Sequence, residues 1–417
     1  MIYLDYAATA PPRPAARQAY NAELDALTDL PGNASALHAG GQGARGRLET
    51  HRDAIATALG IRRTATKNAH KRHEIFFVSG ATEGNALALQ ARAAKLRQNG
   101  RDTLTLCLAT DHPSLRGAVA AAGEHAYLPV DATGAPKGGW GAAIATAVRA
   151  RVAGSAGVPG GNTGGEESAA PEVLLAFAPV NNETGRLLAP DALAAARVEL
   201  AAAGIELDWV HLDAAQTVGH LPIDMAQWDA DSLTFSGHKI GASGGLLAAR
   251  RDSLEPPVRG GGQQYSVRSG SIDTPGAASL AAALTQATAE SDELAANLAG
   301  WQQQIEAAAI AAGGYPSLPE GTARSPHIAH LVFPDAASEA LLAAADMQGF
   351  ALSAGSACTA GVSGPSQVLV AMGVPEEEAR CVLRVSTGWA TSAADVEALC
   401  DKLGRIVAAA RAFGTAR

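Results

Sequence analysis

Thr234-Phe235-Ser236-Gly237-His238-Lys239 is the stretch whose reading decides the fold. Val210, Leu212, Leu221, Ile223 and Leu233 lead into it, and Gly241-Ala242-Ser243-Gly244-Gly245 follows. An apolar run giving way to small residues predicts a buried strand that ends in a tight turn. The turn presents two hydroxyls, an imidazole and one lysine. Taken alone, such a lysine is more often a solvated surface group than an amine held for chemistry. The rest of the chain shifts that balance.

Working outward, the same pattern recurs. Glu74–Val78 reads as a buried strand that runs into Ser79-Gly80-Ala81-Thr82-Glu83-Gly84 and a helix rich in Ala and Leu. A strand, a small-residue turn and a helix start make an anion site, because the first backbone N–H groups of the helix are unpaired. The spacing is not that of a dinucleotide fingerprint. Leu104–Leu108 ends at Asp111-His112-Pro113, Val173–Phe177 ends at Asn181-Asn182-Glu183-Thr184-Gly185, and Trp209–Leu212 ends at Asp213. Strands alternating with helices predict βαβ units and a parallel sheet. Thr82, His112, Asn182, Asp213 and Lys239 all stand where strands end, and open α/β sheets bind ligands at that edge.

The two ends of the chain read differently. Tyr3–Tyr6 with Pro11-Pro12-Arg13-Pro14 predicts a short extended arm, and helices are expected from near Ala15 and from His38 to about Leu59. Past Lys239, Arg259–Ser271 is a glycine-rich crossing, followed by one long Ala-rich helix over roughly 275–312. His327–Phe333 and Val382–Ser386 read as strands, 336–347 and the segment from Ala393 as helices. The expected organisation is a large α/β domain over 15–260 and a smaller α+β domain made of 1–14 and 261–417. Residues 62–73 (Arg62, Arg63, Lys67, Lys71, Arg72) and the low-complexity stretch Gly154–Ala170 read as surface loops.

With 417 residues, 47% apolar and 18% charged, the chain is long enough for two domains and a large core. A net charge of −9 without a long basic run argues against nucleic acid as a partner. No window reaches the roughly eighteen consecutive apolar residues of a membrane helix, and Met1-Ile2-Tyr3-Leu4-Asp5 is no signal peptide. A cytoplasmic protein is expected. The four cysteines, Cys107, Cys358, Cys381 and Cys400, lack the spacing of a disulfide framework or a zinc site, so no metal is expected.

A lysine at a strand end can form a Schiff base, provided that burial or cationic neighbours free its amine. The cofactor that matches is pyridoxal 5'-phosphate, an electron sink. Such a cofactor needs a carboxylate for its ring nitrogen, and Asp213 fits. Its phosphate needs hydroxyls and a helix N-terminus, and Thr82, Ser236 and His238 fit. Its ring needs a flat partner, and His112 fits. Individually, Asp213 and Thr82 also read as helix caps and His112 as a hydrogen-bonded loop residue. Ala354-Gly355-Ser356-Ala357-Cys358-Thr359-Ala360-Gly361 is a loop of small residues around one thiol. A free thiol is only a few per cent thiolate at neutral pH, from a reference pKa of about 8.5, and a loop of this kind gives sulfur the reach to visit a substrate. Cys107, Cys381 and Cys400 read as structural cysteines.

These stretches, together with Leu4-Asp5-Tyr6-Ala7-Ala8-Thr9, His211-Leu212-Asp213-Ala214-Ala215-Gln216, Arg268-Ser269-Gly270-Ser271 and Ser356-Ala357-Cys358-Thr359, resemble the cysteine desulfurases of the NifS/IscS type. The resemblance runs in order over nearly the whole chain. It implies the fold-type I architecture of class V pyridoxal-phosphate enzymes, with a mostly parallel seven-stranded sheet in the large domain. It further implies that Lys239 carries the cofactor and shuttles the Cα proton, that Asp213 pairs with the ring nitrogen, and that Gln216 and Asn182 contact the ring oxygen or the substrate. His112 would stack on the ring and act as acid and base. Ala81, Thr82, Ser236 and His238 would hold the phosphate, joined by Ser271 of the other subunit of a homodimer. Asn33, Asn182 and Arg384 would bind the substrate carboxylate, for which a guanidinium fork is well shaped. Cys358 would take sulfur from L-cysteine as a persulfide, leaving alanine, for a sulfur-acceptor protein such as an iron–sulfur scaffold.

The chain departs from that family at several points. Ala86 stands where an asparagine is usual, Arg259 where a histidine is common, Ser271 in place of a threonine, and Trp389 where an arginine often follows. Ile240-Gly241-Ala242-Ser243-Gly244 is shorter than the usual run after the lysine, and the chain ends without the longer tail that docks scaffolds. Another class V activity, an aminotransferase or a selenocysteine lyase, would keep Lys239 and Asp213, and a transaminase would not need Cys358. A catalytically silent binding protein of the same fold would lack the yellow chromophore.

Overall fold

The structure, a computed structural model, describes residues 1–61, 73–155, 170–355 and 364–414. Most of the basic stretch, most of the glycine-rich stretch and Ser356–Gly361 with Cys358 fall outside the described residues.

The strands are β1 (Ile2–Tyr3), β2 (His73–Val78), β3 (Thr103–Leu108), β4 (His125–Leu128), β5 (Glu172–Phe177), β6 (Leu207–Asp213), β7 (Ser232–Ser236), β8 (Gly245–Arg250), β9 (Tyr315–Pro316), β10 (Ile328–Val332), β11 (Phe350–Ala351) and β12 (Val382–Ser386). Seven of them form one sheet in the order β2-β8-β7-β6-β5-β3-β4. From β7 to β4 every neighbour is parallel, and β8 runs antiparallel to both β7 and β2. The fold class expected from sequence, α/β with a mostly parallel seven-stranded sheet, is the one observed.

Both faces of this sheet are covered, which is why its strands read as unbroken apolar runs. Side chains alternate between the two faces. Ile75, Phe77, Leu104, Leu106, Val173, Leu175, Val210, Leu212, Leu233 and Phe235 enter one core. Phe76, Val78, Cys107, Leu174, Ala176 and Trp209 enter the other.

The first eight helices in chain order are α1 (Pro14–Asp29), α2 (Ala39–Ala58), α3 (Ala81–Gln98), α4 (Pro113–Ala122), α5 (Gly139–Ser155), α6 (Pro190–Ala202), α7 (Thr274–Ala289) and α8 (Ser291–Ala311). α7 packs on α1 and α2, and its Ala277, Leu280 and Leu284 join the core of the large sheet although they follow the glycine-rich crossing. The single helix expected over 275–312 is two helices that meet at Glu290. Arg13 Nη1 lies 2.6 Å from the Glu290 carboxylate, and Gln286 Nε2 donates to it at 2.7 Å. Ser291-Asp292-Glu293 then opens α8 with acidic residues, which suit a helix N-terminus.

A third core surrounds the three-stranded sheet β12-β10-β9 and the pair β1-β11. Leu4 of the N-terminal arm sits in it with Ile305, Leu331, Phe350, Leu383, Leu399 and Ile406. Tyr3 pairs with Ala351, and Asp5 bridges to Ser386. The arm therefore runs from this core to the edge of the large sheet, where Ala10 N–H donates to His238 O at 2.7 Å. No helix among the described residues is long and apolar enough to cross a membrane.

Candidate active site

The carboxyl edge of the large sheet builds one cavity of about 730 Å³. Val78 pairs with Gly245, and Gly245 with Ser236, so the turn after β2 lies against the end of β7. Only glycine permits that approach. A Cβ on Gly245 would stand 2.6 Å from Gly80 Cα, and one on Gly84 would stand 1.9 Å from Thr234 Oγ1. Ala81 N–H, at the start of α3, donates to Ser236 Oγ at 2.7 Å. Ala81, Thr82, Ser236 and His238 thus line the cavity at the N-terminus of α3.

Lys239 follows on a short 3₁₀ turn, Gly237–Ile240, closed by Gly241 in the left-handed region (φ 76). A Cβ on Gly241 would lie 2.4 Å from Pro11 O. The turn is therefore tied to the arm, and Lys239 Nζ donates to Ala7 O at 2.6 Å and to Ala8 O at 2.8 Å.

Asp213 is buried at the end of β6. Its Oδ1 accepts from Ala215 N–H at 3.1 Å and its Oδ2 from Asn85 Nδ2 at 2.8 Å. His112 caps α4, with Nδ1 accepting from Ser114 N–H at 3.1 Å and lying 2.8 Å from Ser114 Oγ. Burial lowers the His112 pKa; the charge of Asp213 opposes that shift, and those of Lys239 and Arg384 add to it. The ring is neutral at pH 7, and because Nδ1 is an acceptor its proton sits on Nε2. Gln216 is buried, donates from Nε2 to Ala7 O at 2.8 Å, and lies with Oε1 3.2 Å from His327 Nε2.

At the far end stands Arg384 of β12, only 2% exposed. Its Nη1 donates to Asn182 O at 2.8 Å and its Nη2 to Asp5 Oδ1 at 3.0 Å. Its Nε is buried without a partner among the described residues. Arg384 lines the cavity together with Asn182 and Gly355. Glu183, which sequence reasoning passed over, lines the same end. It is buried, accepts from Ser366 Oγ at 2.6 Å, and its carboxyl is pushed up by burial. Its place inside Asn181-Asn182-Glu183 was the available signal.

The cavity therefore gathers Lys239, Asp213, Gln216, Asn182, His112, Ala81, Thr82, Ser236, His238 and Arg384. Two expected residues do not line it. Asn33 and Ser271 are exposed and face each other, with Asn33 Nδ2 donating to Ser271 Oγ at 3.3 Å. Cys358 lies outside the described residues. Cys107 is buried, Cys381 and Cys400 are half-buried, and burial raises the thiol pKa of all three.

An amine, a carboxylate, an imidazole and a guanidinium around one enclosed space, with a helix N-terminus at the end, suit a phosphate-bearing carbonyl cofactor and an amino acid. Comparison with known proteins agrees. The model of the aminotransferase class-V family matches residues 2–137 and 168–399. An IscS-like cysteine desulfurase of Mycobacterium tuberculosis is 33% identical over 99% of this chain and 97% of its own length. A cysteine desulfurase IscS of Dictyoglomus turgidum is 30% identical over 97% of this chain and 94% of its own. Among solved structures, a NifS-like protein from Rickettsia africae superposes with a TM-score of 0.78 at 26% identity, covering 97% of this chain and 99% of that one. The chain belongs to the class V aminotransferase family and, within it, to the cysteine desulfurases.

Proposed function

We propose that the protein uses pyridoxal 5'-phosphate to take sulfur from L-cysteine onto Cys358, leaving L-alanine, and passes that sulfur to an acceptor protein. The observation that carries the reading is the cavity of about 730 Å³ bounded by Lys239, Asp213 and Arg384. Its size is that of a small-molecule site. The residues fit the cofactor: the backbone approach at Gly80 and Gly245 leaves the start of α3 open to a phosphate, and Asp213 stands ready for a ring nitrogen.

When bound, pyridoxal phosphate supplies a ring that accepts electrons from the substrate Cα. Lys239 Nζ holds the cofactor and moves the Cα proton. Ala81, Thr82, Ser236 and His238 would hold the phosphate, with Ser271 of the partner subunit in a homodimer. Gln216 and Asn182 would orient ring and substrate, His112 would stand against the ring and exchange a proton at Nε2, and Arg384 would receive the substrate carboxylate. Asn33, exposed beside Ser271, would reach a substrate only across the homodimer. Cys358 Sγ then attacks the substrate sulfur. An S–S bond forms, the C–S bond breaks with its electron pair left on carbon, and that carbon takes a proton to become the methyl group of alanine. The acceptor is a protein of iron–sulfur assembly or thiolation, and the compartment is the cytoplasm.

The test is release of alanine and sulfide from cysteine with and without a thiol reductant. Alanine in step with sulfide under reductant supports the reading. Amino-group transfer to a keto acid without sulfide would replace it by transamination.

A further inference from the structure

Asn85 and His211 take no part in the scheme above, yet they stand directly behind it. Asn85 Nδ2 donates to Asp213 Oδ2 at 2.8 Å and lies 3.4 Å from Ser114 Oγ, the hydroxyl beside His112 Nδ1. Asn85 Oδ1 is 2.8 Å from His211 Nε2. His211 Nδ1 is 2.8 Å from Ser232 Oγ, and Trp209 Nε1 donates to that hydroxyl at 3.0 Å. Asn85, His211 and Ser232 are all fully buried, and Trp209 closes the row.

The polarity of this row is fixed at one end. The Asp213 carboxylate can only accept, so Asn85 turns its N–H₂ to Asp213 and its Oδ1 to His211, and the neutral ring leaves Nδ1 to accept from Ser232 Oγ, which itself accepts from Trp209 Nε1. The imidazole then carries its proton on Nε2 and donates to Asn85 Oδ1. The Asn85 amide is held with its N–H₂ toward Asp213 and Ser114. Burial pulls the His211 pKa down to about 3, in keeping with a neutral ring.

We infer that Asn85, oriented by the row Trp209–Ser232–His211, is a positioning residue that fixes at once the Asp213 carboxylate and, through Ser114, the His112 imidazole. The inference rests on the cofactor reading, since those are the two groups that reading sets against the ring. An amide suits the task because it donates to a carboxylate and accepts from an imidazole in one plane. A side chain there that cannot donate would free Asp213 Oδ2 to rotate toward its other partners. The same order, serine to histidine to amide, recurs on the other side of the cavity. Ser325 Oγ lies 2.6 Å from His327 Nδ1, and His327 Nε2 lies 3.2 Å from Gln216 Oε1. That row is aimed at Ala7 O, the carbonyl that also holds Lys239.

The experiment has two readouts on the full chain. In the protein freed of cofactor, ¹⁵N NMR of His211, assigned by its loss in His211→Gln, should show the neutral Nε2–H form at pH 5.5. An Nδ1–H tautomer would overturn the row. Pyridoxal phosphate is then titrated by absorbance into the parent, Asn85→Leu, His211→Phe and His211→Gln. Loss of a hydrogen bond to a charged group should weaken binding about tenfold or more in Asn85→Leu and His211→Phe. His211→Gln keeps an amide donor near Nε2 and should recover most of that affinity. Parent-like affinity in both disruptive variants, or no recovery in His211→Gln, would overturn the positioning role. The His211 pair decides the matter even where Asn85→Leu does not fold. A parent that binds no pyridoxal phosphate would overturn the cofactor reading instead, and the tautomer would still decide the row.

Discussion

Asp5 Oδ1 accepts a 3.0 Å hydrogen bond from Arg384 Nη2, joining the N-terminal arm to β12 inside the candidate site. Arg384 has 3% of its side chain exposed and Asp5 18%, so the pair is largely out of water. Removing one partner strands the other charge, at a cost of about 3 kcal/mol. Asp5→Ala should lose that much in urea unfolding, and Asp5→Asn less, because an amide oxygen still accepts. Arg384→Lys loses the planar fork, and the KM for cysteine should rise about tenfold or more. An unchanged unfolding curve for Asp5→Ala would show that water already compensates Arg384.

The large sheet was legible because its strands are buried on both faces and read as apolar runs closed by polar residues. β4 and β8 were not read from sequence: His125–Leu128 is short, lies at the sheet edge, and has His125 and Tyr127 exposed, and Gly245–Arg250 starts inside the run of small residues after Lys239. The break at Glu290 was illegible for another reason. No Pro or Gly marks it, and Arg13, which meets its carboxylate, is 277 residues away in sequence. In the site, Lys239, Asp213, His112 and Asn182 announced themselves by standing at strand ends. Asn85 and His211 sit within a helix and a strand, where polar residues carry no such signal. Asn33 and Ser271 were named from resemblance, and in the single chain they meet each other rather than the cavity.

Lys239 holds the arm in a second way. Its Nζ bonds Ala7 O and Ala8 O. Lys239→Ala should abolish turnover and leave no cofactor adduct after borohydride reduction by intact mass. It should also lower stability in the cofactor-free protein by about 1–3 kcal/mol, since two carbonyls lose a charged donor. A reduced adduct on any other lysine would be the contrary result.

Four buried histidines set the acid limit of the fold. Burial pulls His211 and His330 to about 3, His220 to about 4, and His327 well below the ordinary value of 6.5. The unfolded chain binds protons near 6.5 that the folded chain refuses. Stability from these groups is therefore fully present above pH 6.5 and declines as pH falls from 6.5 toward about 4, where His220 begins to protonate in the folded chain. Each contributes up to about 1.4 kcal/mol per pH unit in that window. Urea unfolding between pH 7 and pH 5 should show this slope. His330→Phe, which removes a ring whose Nδ1 lies 2.9 Å from Ser317 Oγ, should flatten it by one such increment. An equal slope in His330→Phe would mean that His330 already carries its second proton when folded.

Cys358 separates sulfur transfer from transamination. Cys107 is sealed within β3, and burial raises its thiol; Cys381 and Cys400 are half-buried and raised for the same first reason. A thiol held protonated is a poor nucleophile. In sequence Cys358 lies between Gly355, which lines the cavity, and Ser366, whose Oγ donates to Glu183. Removing the substrate sulfur requires a soft nucleophile, and no hydroxyl in the cavity substitutes well. Cys358→Ala should keep the yellow cofactor and bind cysteine, yet lose persulfide formation and about a hundredfold or more of alanine release. Cys107→Ala should keep its rate at a stability cost of about 1 kcal/mol. Alanine release at the parent rate from Cys358→Ala would remove the persulfide step, leaving a transaminase or a simple lyase as the activity of this site.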